Sequence, residues 1–268
     1  MRRNIYDILN EKKIDLTDEY TRIYDLFYHI PIKSIIGEAT LYELSSTFFG
    51  SLNKELVGRC LSLEDFDRTY GFWFDDYPNN FNIDYLISFA EYVLNFVIAI
   101  MNRERPAVYD IRDLHNILQH IDSCIDEIGY KRIEKYSIYI IVEKNAAALA
   151  VAEVVKKDLA YSVLEYNHHK LKGDLSSKKN ILKSMADDIE PERTKLNGLN
   201  KRFTSNLFQL LNNFIRHNNS KNEYISKMGD DELEKIYDEI YQMWLLAKMQ
   251  LEYSSKADYI AEVISNLN

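Results

Sequence analysis

Apolar residues recur at helical spacing along most of this chain, with polar residues filling the positions between them. The pattern predicts a first helix from Asp18 to about Tyr28 and a break at Pro31. A second helix follows from Leu41 to Cys60, with Leu41, Leu44, Phe48, Leu52 and Leu56 on one stripe. Helices over 83–102 and 110–128 come next, divided at Arg105-Pro106, because proline and its restriction on the preceding residue stop the first of them. From Ala146 the spacing Val151, Val155, Leu159, Val163 predicts one long helix ending at Gly173. Asp174 or Ser176 then caps a helix whose stripe is Ile181, Leu182, Met185, Ala186 and Ile189, and Pro191 opens the following turn. A further helix from Leu199 to Asn218 is expected to bury Leu199, Phe203, Leu207, Leu210, Leu211 and Phe214. Gly229-Asp230-Asp231 starts a long helix that Ser254-Ser255 separates from a short terminal one.

Two stretches depart from this period. Tyr130 to Glu143 is rich in β-branched and aromatic residues with partial alternation, which predicts a hairpin turning near Lys135 to Ser137, with helix as the competing reading. Tyr70, Phe72, Trp73, Phe74 and Tyr77 crowd around Gly71, Asp75, Asp76 and Pro78, as in a buried aromatic connector; the alternative is an aromatic stacking platform. The expectation is therefore an all-α multi-helix bundle with one small β-hairpin near residues 130–143. A division at Arg105-Pro106 gives an N-terminal helical region, 1–105, and a helical domain, 106–268, with one continuous domain as the other possibility.

Composition agrees with helices: only 8 Gly and 4 Pro interrupt 268 residues, and 46% are hydrophobic, enough for a substantial core. The N-terminal residues lack the apolar run of a secretory signal. The longest apolar stretch, Tyr92 to Met101, is too short for a bilayer about 30 Å thick, so the reading is cytoplasmic with no membrane partner. Cys60 and Cys124 sit in no metal-ligand or disulfide spacing, which predicts buried thiols. The net charge of −9 is uneven: residues 170–227 carry twelve Lys and Arg against six Asp and Glu, between acidic flanks. That basic segment either holds phosphate, as RNA binding requires, or docks on the acidic remainder of the chain.

Chemistry concentrates at the end of the helix predicted over 199–218. At about 100° per residue, Arg202, Asn206, Asn213 and His217 fall along one edge of its apolar stripe, with Arg216 just beyond. Histidine for proton transfer, arginine for phosphate charge and asparagines to orient both are the parts of a metal-independent ribonuclease. On that reading Arg216 and His217 are catalytic, and Arg202, Asn206, Asn213 and Asn218 bind substrate. The competing reading is structural: Arg and His in a last turn complement the helix dipole, and Asn218 or Asn219 caps the end. Glu165 and His168 make half of a di-iron arrangement, but no other histidine has Glu three residues before it, so neither metal nor cofactor is expected. No phosphate loop or nucleophile elbow is present in the sequence.

From Leu114 to Asn219 the chain resembles bacterial abortive-infection proteins of the AbiJ type, whose C-terminal part belongs to the HEPN superfamily of helical domains. The resemblance rests on a helix, a hairpin beginning at Gly129-Tyr130, an Ala-rich helix, a helix ending in an acidic residue at Glu190, and the triplet Ile215-Arg216-His217. It implies phage defence or a toxin-like role, RNA cleavage as a possible endoribonuclease, and a homodimer. The chain departs from the usual HEPN pattern, in which His follows Arg by four to six residues; here the two are adjacent and point about 100° apart on a helix. A dimer would be needed to bring such groups together. The alternative is a non-catalytic helical interaction module, its long helix offering Met243, Trp244 and Leu251 to a partner.

Overall fold

Asp15 starts the first helix by accepting hydrogen bonds from the backbone N–H groups of Thr17 at 2.8 Å and Asp18 at 3.3 Å. The computed structural model describes residues 15–34, 37–74, 82–103, 111–216 and 223–267. It divides into two compact units, Met1–Ile141 and Val142–Asn268. Among the described residues there are thirteen α-helices and two small two-stranded sheets, so the protein is all-α.

In the first unit, α1 (Leu16–Tyr28) is followed by an antiparallel pair that the hydrophobic pattern does not anticipate, β1 (Ile32–Ser34) with β2 (Gly37–Ala39). A capping box between Thr40 and Glu43 starts α2 (Leu41–Phe48). The single helix expected over 41–60 is instead broken. A 3₁₀ turn (Phe49–Ser51) follows α2, and Asn53 accepts from the N–H groups of Glu55 and Leu56 to start the one-turn α3 (Lys54–Val57). The local cap outcompetes propagation of the apolar stripe. Ser62 caps α4 (Leu63–Tyr70), a helix within the stretch read as connector, and Gly71 at φ +72° ends it. Phe66, Phe72 and Phe74 then pack on Tyr92, so the buried aromatic reading holds for them. Trp73 is exposed, and residues 75–81, which include Tyr77, lie outside the described residues.

The centre of this unit is α5 (Ile83–Met101), 19 residues with a mean hydropathy of 1.6, long and apolar enough to cross a membrane by length and composition. This corrects the ten-residue estimate from sequence. Of that apolar window 67% is buried, as in a core helix: Leu86, Phe89, Val93, Phe96, Val97 and Ile100 pack beneath α1, α2 and α6 (Ile111–Glu127). The Arg105-Pro106 break lies outside the described residues.

Hairpin β3 (Tyr130–Lys135) and β4 (Ile138–Glu143) is present, turning at Tyr136 and Ser137 with φ of +53° and +61°. Its outer strand is held by a polar side chain on α5. Asn95 donates Nδ2 to the Tyr139 carbonyl at 2.7 Å and accepts the Tyr139 N–H on Oδ1 at 2.8 Å, completing one backbone pair as a neighbouring strand would. This accounts for an asparagine inside the most apolar helix. Asn95→Leu is expected to destabilise the protein by about 2–3 kcal/mol, since it leaves both Tyr139 groups unpaired. Urea unfolding of the two proteins checks it; a difference under about 0.5 kcal/mol would show that the pairing is not needed.

The second unit begins with α7 (Ala146–Ala152) and α8 (Lys157–Glu165), not the one helix expected to Gly173. The N–H groups of Val154 and Val155 both bond the Val151 carbonyl, closing a tight turn that folds α8 against α7. A 3₁₀ turn (His169–Leu171) leads through Gly173 to α9 (Leu175–Ile189), which Asp174 caps through the Ser177 N–H at 2.9 Å. Pro191 sits in the 3₁₀ turn Glu190–Glu192 before α10 (Arg193–Leu199). The helix expected over 199–218 begins at a new cap: Asn200 accepts from the Phe203 N–H and starts α11 (Lys201–Leu210). From Leu211 to Arg216 the chain winds as a π-helix. After α12 (Glu223–Ser226) comes α13 (Asp230–Ser265), one continuous helix. Ser254-Ser255 does not divide it, because Ser255 Oγ bonds the Glu252 carbonyl at 2.7 Å and so competes with no backbone pair. Tyr237, Ile240, Tyr241, Trp244, Ala247 and Leu251 of α13 pack on α7, α9, α10 and α11.

Candidate functional site

Arg216 closes the π segment, and its guanidinium turns onto the end of α9. Nη1 donates to the Glu190 carboxylate, Nη2 donates to the Ala186 carbonyl at 2.7 Å, and Asp187 Oδ1 lies 3.8 Å from Nη2. Trp244 Nε1 donates to the neighbouring Met185 carbonyl at 2.8 Å, and Lys248 pairs with Asp188 at 2.9 Å. The carbonyls and carboxylates at the C-terminal end of α9 thus meet a cation, an indole N–H and a second cation. That is the complement of a helix end whose last carbonyls lack internal partners.

The π winding decides which predicted residues share a face. In an α-helix Asn213 and Arg216 would lie about 60° apart; at the roughly 80° per residue of a π-helix they diverge by about 120°. Asn213 accordingly stays exposed, its Nδ2 donating back to the Gln209 carbonyl at 2.8 Å, while Arg216 is half-buried. Arg202 and Asn206 on α11 are exposed as well. Arg202, Asn206 and Asn213 therefore face solvent, and Arg216 faces α9. His217 and Asn218 lie outside the described residues.

The basic segment separates into two populations. Lys178 and Arg216 are neutralised within the unit, and Arg193 lies over the Phe208 ring beside Glu190. Lys179, Lys183, Lys195, Lys201 and Arg202 have no acidic partner within 4 Å among the described residues. Partial burial, and then the neighbouring charge of Lys183, hold the Lys179 ammonium below its ordinary range. Internal pairing with acidic groups thus accounts for part of this segment and leaves the other cations without acidic partners among the described residues.

No family model, curated protein or solved structure matches this chain.

One cluster escaped the sequence reading. Lys178 is buried, and its Nζ reaches Asp238 Oδ1 at 2.7 Å and Glu234 Oε1 at 2.8 Å. Tyr166 donates its hydroxyl to the same Asp238 oxygen at 2.9 Å, and the Gly173 N–H donates to Glu234 at 2.8 Å. The Lys178 hydrogen bond, together with that of Gly173, holds the Glu234 carboxyl below the usual range, and burial pushes the Tyr166 phenol up. The signal was available: Lys178 precedes Ile181 and Leu182 by three and four residues and so falls on the apolar stripe of α9.

Thiol chemistry is disfavoured by position. Cys124 is buried and its thiol is pushed up to about 12, by burial first and by Glu19 next, so it is no thiolate nucleophile. His168 Nδ1 accepts the Lys170 N–H at 3.3 Å and caps the 3₁₀ turn, and His169 is buried. Trp244 and Leu251 are buried in the core and Met243 is half-buried, so α13 does not offer them to a partner. The exposed large apolar residues of that helix are Leu246 and, further on, Tyr253, Tyr259, Val263 and Ile264.

Proposed function

We propose that this chain is a HEPN-like RNA-binding protein, with metal-independent RNA cleavage in a defence or toxin-type role as its activity. The observation that carries the reading is the set of five cations on α9, α10 and α11 without acidic partners among the described residues, lying in the same unit as exposed Asn206 and Asn213. Phosphate contacts are made by such cations, and amides orient the backbone they hold. The acidic end of α9 and the Ile-Arg-His triplet, two separate elements of the resemblance, are joined by the Arg216–Glu190 pair. In this reading Arg216 is a positioning residue that anchors the chain from which His217 follows, and His217 moves the proton.

The test is induced expression in a bacterial host of the wild type beside His217→Ala, scoring growth and the integrity of total RNA and tRNA. Growth arrest with RNA breakage is expected from the wild type and a loss of both, at unchanged melting temperature, from the variant. RNA cleavage that survives the substitution removes His217 from the mechanism.

A second reading, a non-catalytic helical interaction module forming homo-oligomers, is favoured by Tyr253, Tyr259, Ile264 and Leu267, all exposed at the end of α13. RNA affinity separates the two readings. The RNA-binding protein loses affinity steeply as salt rises, whereas an interaction module shows no salt-sensitive RNA binding and keeps its oligomeric state in the His217 variant.

A further inference from the structure

The first unit contains a cavity of about 390 Å³ that the proposed function does not use. Its size falls within the range of small-molecule sites. The end of α1 and the start of β1 supply an apolar wall, Leu26, Ile30 and Ile32, which Ile117 of α6 extends. The opposite wall is polar: Asp113, Asn116 and His120 are spaced three and four residues apart on α6, one strip of a helix.

One of these polar groups has no counter-charge against it among the described residues. Asp113 is half-buried and has no cation within 4 Å among the described residues. It lies in the first turn of α6 and its side chain lines the cavity. His120 Nε2 is shielded from solvent and lies 3.2 Å from Glu19 Oε2, but off the line that a hydrogen bond needs, so it remains unsatisfied. A carboxylate without a counter-charge beside an apolar wall favours a ligand that brings N–H donors and hydrocarbon together.

We propose that this cavity binds a small primary amine carrying a compact apolar group. The ammonium sits on the Asp113 carboxylate with Asn116 Oδ1 as a second acceptor, and the hydrocarbon lies against Leu26, Ile30, Ile32 and Ile117. An ammonium brings three donors to a site that offers acceptors. A quaternary ammonium fits less well, because its recognition uses Trp, Tyr or Phe faces and none of these lines the cavity. A carboxylate ligand meets repulsion from Asp113.

Fluorine NMR on the full chain tests this with 4-fluorophenethylamine against its acid counterpart, 3-(4-fluorophenyl)propionate. The amine is expected to show saturable line broadening and the acid none. Asp113→Asn, which keeps the shape and removes the charge, weakens amine binding by tenfold or more. Asn116→Trp, placed at an exposed position on the cavity rim, blocks it. Absence of amine binding at millimolar concentration, equal binding of the acid, or an unchanged affinity in Asp113→Asn overturns the proposal. The site is independent of the RNA reading, and His217→Ala leaves amine binding unaltered.

Discussion

Lys178→Ala is expected to lower stability by about 3 kcal/mol, the low end of the range for breaking a buried ion pair. The low end applies because Asp238 is 49% exposed and water can take over part of its charge, whereas Glu234 is only 22% exposed. The loss comes from the carboxylates left behind rather than from the lysine stem, so Lys178→Met costs nearly as much. Lys178→Met combined with Glu234→Gln recovers part of it. The effect depends on pH in a defined direction. Glu234 has its folded value depressed, so its contribution is present above the unfolded carboxylate value of about 4.3 and disappears as pH falls through the folded one. Wild type and Lys178→Ala should therefore converge in stability as acid is added. Denaturant unfolding at pH 7 and at pH 3 measures both points; a gap that persists at low pH would falsify the ion-pair account and leave packing as the cause.

The second large effect is at Trp244. It is fully buried, with its ring in the core of the second unit and its indole N–H on the Met185 carbonyl. Trp244→Ala is expected to cost about 4–5 kcal/mol through the cavity it opens. Trp244→Phe keeps most of the apolar volume but loses the hydrogen bond to the Met185 carbonyl, and is expected to cost about 1–2 kcal/mol. The chain has 2 tryptophans, and Trp73 is exposed, so emission from Trp244 reports unfolding of this core directly. Equal losses for Phe and Ala would mean that the hydrogen bond, not ring volume, sets the cost.

Much of the fold is legible in the order of residues. Several helix starts are legible to within a residue or two: α5 begins after Asn82, α9 after Asp174, and α13 after Gly229. The hairpin followed from Ile138, Tyr139, Ile140, Ile141 and Val142, although its turn uses Tyr136 and Ser137 at positive φ with no glycine to mark it. The breaks were illegible for a common reason. Val151, Val155, Leu159 and Val163 keep a spacing of four across the turn between α7 and α8, so periodicity runs on where the backbone stops. Asn53 and Asn200 are single capping residues inside apolar stripes, and a cap outweighs the stripe only when the packing allows a new helix direction.

Legibility of the candidate site was limited in the same way. Residue types and their clustering near Arg216 were apparent, and the exposure of Arg202, Asn206 and Asn213 fits the predicted polar edge. The inward turn of Arg216 did not follow, because it depends on a change of helical pitch that no residue between Leu211 and Arg216 signals. Lys178 was grouped with surface charge on type alone, while its register on α9 places it inside.

The π segment also bears on insertions and deletions. One turn of π-helix is an α-helix that has absorbed an extra residue, so the segment from Leu211 to Arg216 is the length of chain at which α11 and whatever follows it come out of phase. A chain one residue shorter there would return to α winding and carry Arg216 toward the side that Asn213 occupies. The end of α9 would then lose one of its two cations, and Glu190 would keep only Arg193 among the described residues. Length within these six residues is thus constrained more tightly than their identity, and alignments of this region should tolerate substitutions at Asn212 or Asn213 more readily than a gap.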